Sequence, residues 1–515
     1  MTEVVKITNV CYSTQNGREI FNDLSLVVGN EKVGIVGRNG VGKTTLLSLI
    51  TNQLTPTSGM IELRGRYAYV PQIIDYSEKN LGSIIEDIRG GIISNTNNSC
   101  HRSILKGFKL GEYDKADSFG QLSGGEARLI LILHAFLSAG EVVILDEPES
   151  DLDYENRRRL RELIKNTQKT VLIVSHDQKT LSFVNTIIEI KEQGVEAFGG
   201  NFCFYLLEKE KQNAAIDKRI RIVSDELNQI ECMRNKVVNS QEYRMMQGRE
   251  EAFDRGYGDF WCDTPKKDRA AKTLKKLKAK HDKKTDEGKR ILEQYLNSAR
   301  IVNNIKIPFE EIETDKDKTL VAIHSLYFGY DEKVDIIRDF CLEIHEGEKI
   351  WLFGRNGVGK TTLLNIIGGK LTKIRGEIRV LCRDHIFCEQ RQEEIDDESS
   401  LMETICKSND CMSEERAKDI IQASGFPLAI AERKLRTLSG GERIIATLIV
   451  SLSSKKPPRL LILDEPTNHL DMHGIQQLQI ILKNYNGAII IATHDEHLME
   501  SVGGFRRVPI NNQTK

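Results

Sequence analysis

The stretch GRNGVGKTTLL occupies residues 37–47 and returns unchanged at 354–364. Each copy follows an apolar run, VGIVG at 33–37 or IWLFG at 350–354, and leads into a helix-like TTLLSLI or TTLLNII. A strand, a glycine-rich loop and a helix in that order are the context in which GxxxxGK[ST] holds phosphate. The loop's backbone N–H groups and the positive end of the helix supply the cradle. The pattern nominates Gly37, Arg38, Asn39, Gly40, Val41, Gly42, Lys43, Thr44 and Thr45 as nucleotide-binding. It nominates Gly354, Arg355, Asn356, Gly357, Val358, Gly359, Lys360, Thr361 and Thr362 in the same way. Lys43 and Lys360 are expected on the terminal phosphates, and Thr44 and Thr361 on a magnesium ion.

Three further landmarks repeat in the same order. LSGGE recurs at 122 and 438, ILDEP at 144 and 462, and the histidine of SHD, His176, recurs in THD as His494. A near-constant offset across four landmarks makes the chain two copies of one domain. VVILDEP and RLLILDEP read as buried strands ending in acids, as at the carboxyl edge of a parallel sheet. Asp146 and Asp464 are therefore expected to hold magnesium, and Glu147 and Glu465 to orient or deprotonate an attacking water. The fold class is α/β, with two phosphate-loop domains.

Taken with YVPQ, FCEQ and the histidines, LSGGE resembles the ATP-binding cassette superfamily, whose motifs cover about 400 residues of the chain. The resemblance implies a head-to-tail sandwich in which ATP on one phosphate loop is closed by the signature of the other domain. Lys43 would then pair with Ser439 and Gly441, and Lys360 with Ser123 and Gly125. It adds Gly124, Glu126, Gly440 and Glu442 to the nucleotide contacts, and Gln72 and Gln390 to both the nucleotide and the metal. It makes His176 and His494 catalytic and has Tyr330 stack on adenine. Thr14 stands opposite Tyr330 in the first copy; Tyr12 could substitute there, or could be a packed strand residue. DEPTNHLD at 464–471 matches the ABC-F class in full, whereas DEPESDLD at 146–153 departs from it at Glu149, Ser150 and Asp151. That departure questions the equivalence of the two sites.

Composition narrows the class. Hydrophobic residues at 39% and charged residues at 29% fit a globular protein. MTEVVKITNV carries no basic region before an apolar one, so no secretory signal is expected, and no apolar stretch approaches the ~20 residues of a membrane span. A cytoplasmic protein is expected. Ten cysteines without a CxxC pair argue against zinc and disulfides. Within a net charge of −2, residues 265–290 hold 12 Lys and Arg against 4 Asp and Glu. Such a block suits a polyanionic partner or a solvated helix face.

The expected layout is a first cassette at 1–200, a linker at 201–317 and a second cassette at 318–515. Ile216, Ile220, Val223, Leu227 and Ile230 follow 4-3-4-3 spacing, which suits a helix from 203 to 244 pairing with a second at about 266–303. The tip, near 245–265, carries Phe253, Tyr257, Phe260 and Trp261. These aromatics either stack on RNA bases or pack together to fix the turn. In the ABC-F class the linker enters the ribosome beside tRNA, and the length of this one resembles antibiotic-resistance members. The expectation is a monomeric, magnesium-dependent ATPase that binds rRNA and P-site tRNA in its closed form, its linker tip displacing a drug or repositioning tRNA near the peptidyl-transferase centre. A translation factor for stalled ribosomes and the motor subunit of a membrane transporter are the competing readings.

Overall fold

The computed structural model describes residues 3–76, 80–94, 118–191, 194–254, 275–287, 306–309, 312, 315, 317–330, 335–372, 375–382, 384–388, 398–426, 431–468 and 470–510. They divide into two compact units, Met1–Tyr205 with Val302–Lys515, and Leu206–Ile301.

The larger unit contains one arrangement twice. In the first copy Tyr67–Val70, Val142–Asp146, Thr170–Val174, Lys32–Gly37 and Thr186–Lys191 lie side by side and parallel, with Gly194–Gly199 antiparallel at the edge. In the second, His385–Cys388, Leu460–Asp464, Ala488–Ala492, Lys349–Phe353 and Phe505–Pro509 repeat the parallel order. Every residue of Val142–Asp146 and Thr170–Val174 is buried, because both sheet faces are covered; hence the continuous apolar runs in the sequence. The strand order brings the phosphate loop, the DEP acids and the histidine to one carboxyl edge.

Each sheet carries a small antiparallel partner, built from Glu19–Gly29, Glu3–Ser13 and Ser58–Leu63 or from Ile337–His345, Thr319–Phe328 and Arg375–Val380. The repeat extends to backbone irregularities. Asn9 and Ser325 adopt φ of 47° and 45° at matching bulges. A Cβ on Gly59 or Gly376 would strike the carbonyl oxygen of Asn9 or Ser325, so both positions require glycine. The helix Lys43–Ile50 packs Leu46, Leu47 and Leu49 against Ile35, Ile144 and Val174, and Lys360–Ile367 does likewise on Leu352, Ile462 and Ile490.

A buried ion cluster fastens the second copy. Glu346 is 3% exposed and accepts from the Asp315 N–H at 2.9 Å, with Lys318 Nζ at 3.0 Å and Arg459 also bonded. These bonds outweigh burial and hold the Glu346 carboxyl down at about 2. Its stabilisation is complete above the ordinary 4.5 and is lost as pH falls from there towards 2. Glu346→Gln is expected to cost about 3 kcal/mol at neutral pH. Melting curves across pH should show that deficit closing below 4.5, and a pH-independent deficit would refute the account.

The helix Phe202–Asp254 starts in the larger unit, and from Leu206 on, within the smaller unit, it runs beside helical residues 275–287. Arg219–Glu287 at 3.8 Å, Glu226–Lys284 at 2.7 Å and Glu231–His281 at 3.7 Å pair ascending with descending numbers, so the two are antiparallel. Val223 and Ile230 of the apolar stripe are buried. The first helix continues ten residues past Arg244, through Met245, Met246, Gln247, Arg249, Glu250, Glu251 and Ala252, all good helix formers that outweigh Gly248. Phe253 therefore sits at the end of a helix. Its side chain, with Tyr257, Phe260 and Trp261, lies outside the described residues.

Among the described residues no helix is long and apolar enough to cross a membrane, and no cluster of three His, Cys, Asp or Glu is placed to hold a metal.

Candidate active site

At the first phosphate loop, Lys43 folds back over the turn. Its Nζ donates to the carbonyls of Gly37 at 2.9 Å and Arg38 at 3.2 Å, and to Asn39 Oδ1 at 3.4 Å. Burial lowers the pKa of this ammonium, and Glu147, Asp471 and Asp146 oppose the shift. Gly40 and Gly357 adopt φ of +75°, and a Cβ on either would meet open space. Their glycine is required by the left-handed turn that aims successive N–H groups inward. Lys360 repeats the fold-back at 2.9 and 3.1 Å on Gly354 and Arg355, and adds His494 Nε2 at 3.0 Å.

The acids emerge beside these loops. Asp146 is fully buried; burial pushes its carboxyl up to about 6, against the pull of the adjoining Thr44 hydroxyl. Glu147 adopts φ of +45° and accepts from Gln72 Nε2 at 2.8 Å, with His176 Nε2 3.6 Å away. Glu465 adopts φ of +40°, and burial raises its carboxyl to about 7 although Arg157 and Lys360 pull it down. His494 Nε2 lies 3.4 Å from Glu465 Oε1 and 2.8 Å from Asn356 Oδ1. Burial, Lys360 and Arg157 hold this imidazole down at about 2, so it is neutral at physiological pH. Gln390 lies outside the described residues.

The signatures cap helices. Ser123 and Ser439 begin Gly124–Leu137 and Gly440–Leu452 in capping boxes with Glu126 and Glu442. Gly124 and Gly440 face open space, whereas a Cβ on Gly125 would come 2.5 Å from the Asp151 carbonyl and 3.6 Å from Asn356 Nδ2. The first signature thus lies against the second phosphate loop. Asn356 Nδ2 donates to the Asp151 carbonyl at 2.7 Å, and Arg355 pairs with Glu155 at 3.3 Å. Reciprocally, the Asn39 N–H donates to Asp471 Oδ2 at 3.2 Å. Each phosphate loop is touched by the other cassette.

A match to the ABC transporter family covers residues 21–150 and 337–468. The chain belongs to the ATP-binding cassette family. It is 26% identical to "Ribosome protection protein VmlR" of Bacillus subtilis over 99% of this chain and 88% of that one. It is also 26% identical to "ABC transporter F family member 5" of Arabidopsis thaliana, over 97% of this chain and 74% of that one. Against "Probable ATP-binding protein YheS" of Escherichia coli the identity is 25%, over 93% and 74%. A solved structure, "RNase-L Inhibitor", shares the fold with a TM-score of 0.57 at 18% identity, covering 98% of this chain and 87% of that one. The cassette protein is of the ABC-F type and hydrolyses ATP.

The two sites of this ABC-F protein differ in ways that motifs alone do not reveal. Glu149, where the second cassette has Thr467, accepts from Ser175 Oγ at 2.8 Å, and burial together with the neighbouring Asp177 lifts its carboxyl above the ordinary range. Arg157 of the first cassette acts on Glu465 and His494 of the second, while the matching position in the second cassette is the buried, apolar Ile475. Arg18 reaches the Gly40 carbonyl at 3.3 Å, an unforeseen contact from a residue outside every motif. Tyr330 is 64% exposed, edge-on to Phe328, with its hydroxyl 3.2 Å from Thr362 Oγ1. Tyr12, the alternative in the first copy, packs on the core. The second site has an arginine from its neighbour and an exposed aromatic. Glu465→Gln alone is therefore expected to lower steady-state turnover about ten-fold and Glu147→Gln alone about two-fold. Equal losses would show that these differences are silent.

Proposed function

We propose that this ABC-F protein closes its cassettes on two ATP molecules and in that state binds the ribosome, in the cytoplasm and as a monomer. Its linker then reaches towards the peptidyl-transferase centre beside the P-site tRNA and protects the ribosome from an antibiotic. The observation that carries this reading is the similarity to "Ribosome protection protein VmlR" along 99% of the chain. The 12 Lys and Arg within residues 265–290 suit rRNA phosphates.

The residues at each site divide the work. Lys43 and Lys360, now satisfied by loop carbonyls, would exchange those partners for phosphate oxygens, joined by the loop N–H groups. Ser123, Gly124 and Gly125 would close on nucleotide held by Lys360, and Ser439, Gly440 and Gly441 on nucleotide held by Lys43. Among the described residues no hydrogen bond of ordinary length reaches either oxygen of the buried Asp146, which adjoins the Thr44 hydroxyl. That donor set fits a magnesium ion, as does the matching pair Asp464 and Thr361; the resemblance would add Gln72 and, by the repeat, Gln390. Magnesium, when bound, neutralises charge on the phosphates. Glu147 and Glu465 orient water, and the raised pKa of Glu465 suits it to take a proton near neutral pH. His176 and His494 steady those acids.

Co-sedimentation with ribosomes, and drug susceptibility in a host lacking the gene, test the proposal together. Failure to sediment with ribosomes in the presence of ATP would overturn it. Sedimentation without any change across a panel of ribosome-targeting drugs would remove protection and favour a factor for stalled ribosomes.

A further inference from the structure

Arg128 is an arginine inside an apolar helix. It lies on Gly124–Leu137 among Leu129, Ile130 and Leu131, and is 4% exposed. A guanidinium is costly to bury unless its donors are used. Here one terminal nitrogen donates to the Gln72 carbonyl at 2.5 Å and lies 3.4 Å from Asp151 Oδ2, and the other donates to the Glu147 carbonyl at 3.3 Å. The side chains of Gln72 and Glu147 are themselves bonded at 2.8 Å. Arg128 thus grips the backbones of two residues whose side chains face each other at the first site.

The same group leads to the second site. Asp151, whose side chain meets Arg128, has its carbonyl bonded to Asn356 Nδ2, and Asn356 Oδ1 lies 2.8 Å from His494 Nε2, which is 3.0 Å from Lys360 Nζ. The second cassette has Ile444 and His469 where the first has Arg128 and Asp151. Ile444 is buried in the apolar core.

We propose that Arg128 and Asp151 are a positioning pair that holds Gln72 and Glu147 in working geometry and makes that geometry depend on the phosphate loop of the second site. The inference rests on the reading of Glu147 as a catalytic acid. The planar fork reaches the Glu147 carbonyl with one nitrogen and the Gln72 carbonyl and Asp151 carboxylate with the other, a separation that the single nitrogen of a lysine does not reproduce.

Arg128→Ile, Arg128→Lys and Asp151→Asn are introduced into two full-length parents, Glu465→Gln and Glu147→Gln, and ATPase is measured against ATP concentration. In the Glu465→Gln parent, Arg128→Ile is expected to lower kcat at least about 10-fold with KM changed less than about two-fold. Arg128→Lys should not rescue it, and adding Asp151→Asn to Arg128→Ile should lower kcat no further. In the Glu147→Gln parent, kcat should change less than about three-fold. Isoleucine is the residue at the matching position of the second cassette, so folding is expected; Arg128→Lys keeps the charge and carries the same test if it fails. Equal losses in both parents, a change in KM alone, or full rescue by lysine would overturn the pair's role. A Glu465→Gln parent without turnover would overturn Glu147 as a catalytic acid, and the pair's role with it.

Discussion

A chain carrying Glu147→Gln and Glu465→Gln together is expected to bind ATP with near-normal affinity while hydrolysis falls at least ~10²-fold, the usual contribution of a positioned base. The substitution keeps the volume of each acid and removes only its ability to take a proton. At Glu147 an amide can still face Gln72, and at Glu465 the neutral form already competes near pH 7. The phosphate loops and signatures are untouched, so the closed sandwich should accumulate. On the proposed function it accumulates on ribosomes, and translation stalls. Nucleotide binding by fluorescence, phosphate release and ribosome sedimentation read the three steps separately. A double variant that binds ATP but sediments free of ribosomes would sink the link between closure and ribosome binding, whatever its ATPase rate.

Replacing residues 255–264 with a short Gly-Ser turn is expected to abolish drug protection in cells while ATPase and ribosome binding stay near wild type. Tyr257, Phe260 and Trp261 lie in that stretch. Stacking contributes ~1–3 kcal/mol per base, whereas overall affinity comes from many phosphate contacts by lysines and arginines. Loss of the aromatics should therefore remove an effect at one place without releasing the protein. Single alanine changes at Tyr257 and Phe260 refine the result. If they only fix the turn, activity should fall in step with loss of helix, as read by circular dichroism. Full protection by the Gly-Ser chain would end the case for a working tip.

Much of the cassette architecture was legible because its determinants are local. A glycine-rich loop between an apolar run and a helix, repeated with three partners in order, leaves one topology. The continuous apolar character of VVILD at 142–146 follows from burial on both faces. The site was legible only as motifs. Arg128, Arg157 and Arg18 belong to no motif, and the site groups they act on lie 19 or more residues away. Arg128 could have been suspected from a lone charge in LILILHAFL's lead-in, a conflict between residue and surroundings that asks for a partner. The substitutions at Glu149 and Asp151 were visible as departures. That each has its own partner, Ser175 and Arg128, was not, because pairing across strands leaves no trace in one sequence. The helix to Asp254 outran its expected end because aromatics and glycines downstream drew the boundary inward.

The contact between Lys179 and the two acids Glu496 and Glu500, at 2.7 and 3.0 Å, joins the helices that follow the two histidines. It has no mirror image, since His497 stands where the second cassette would need a lysine, and Gln178 and Ser182 stand where the first would need acids. Two first cassettes brought together would present Lys179 to an amide and a hydroxyl. Two second cassettes would present a histidine to the acids and would also set His473 where Arg355 now meets Glu155. Duplication followed by this divergence makes each half a poor companion for its own kind. Expressed as separate polypeptides, the halves should form mixed pairs in preference to like pairs, with a bias that weakens as salt rises.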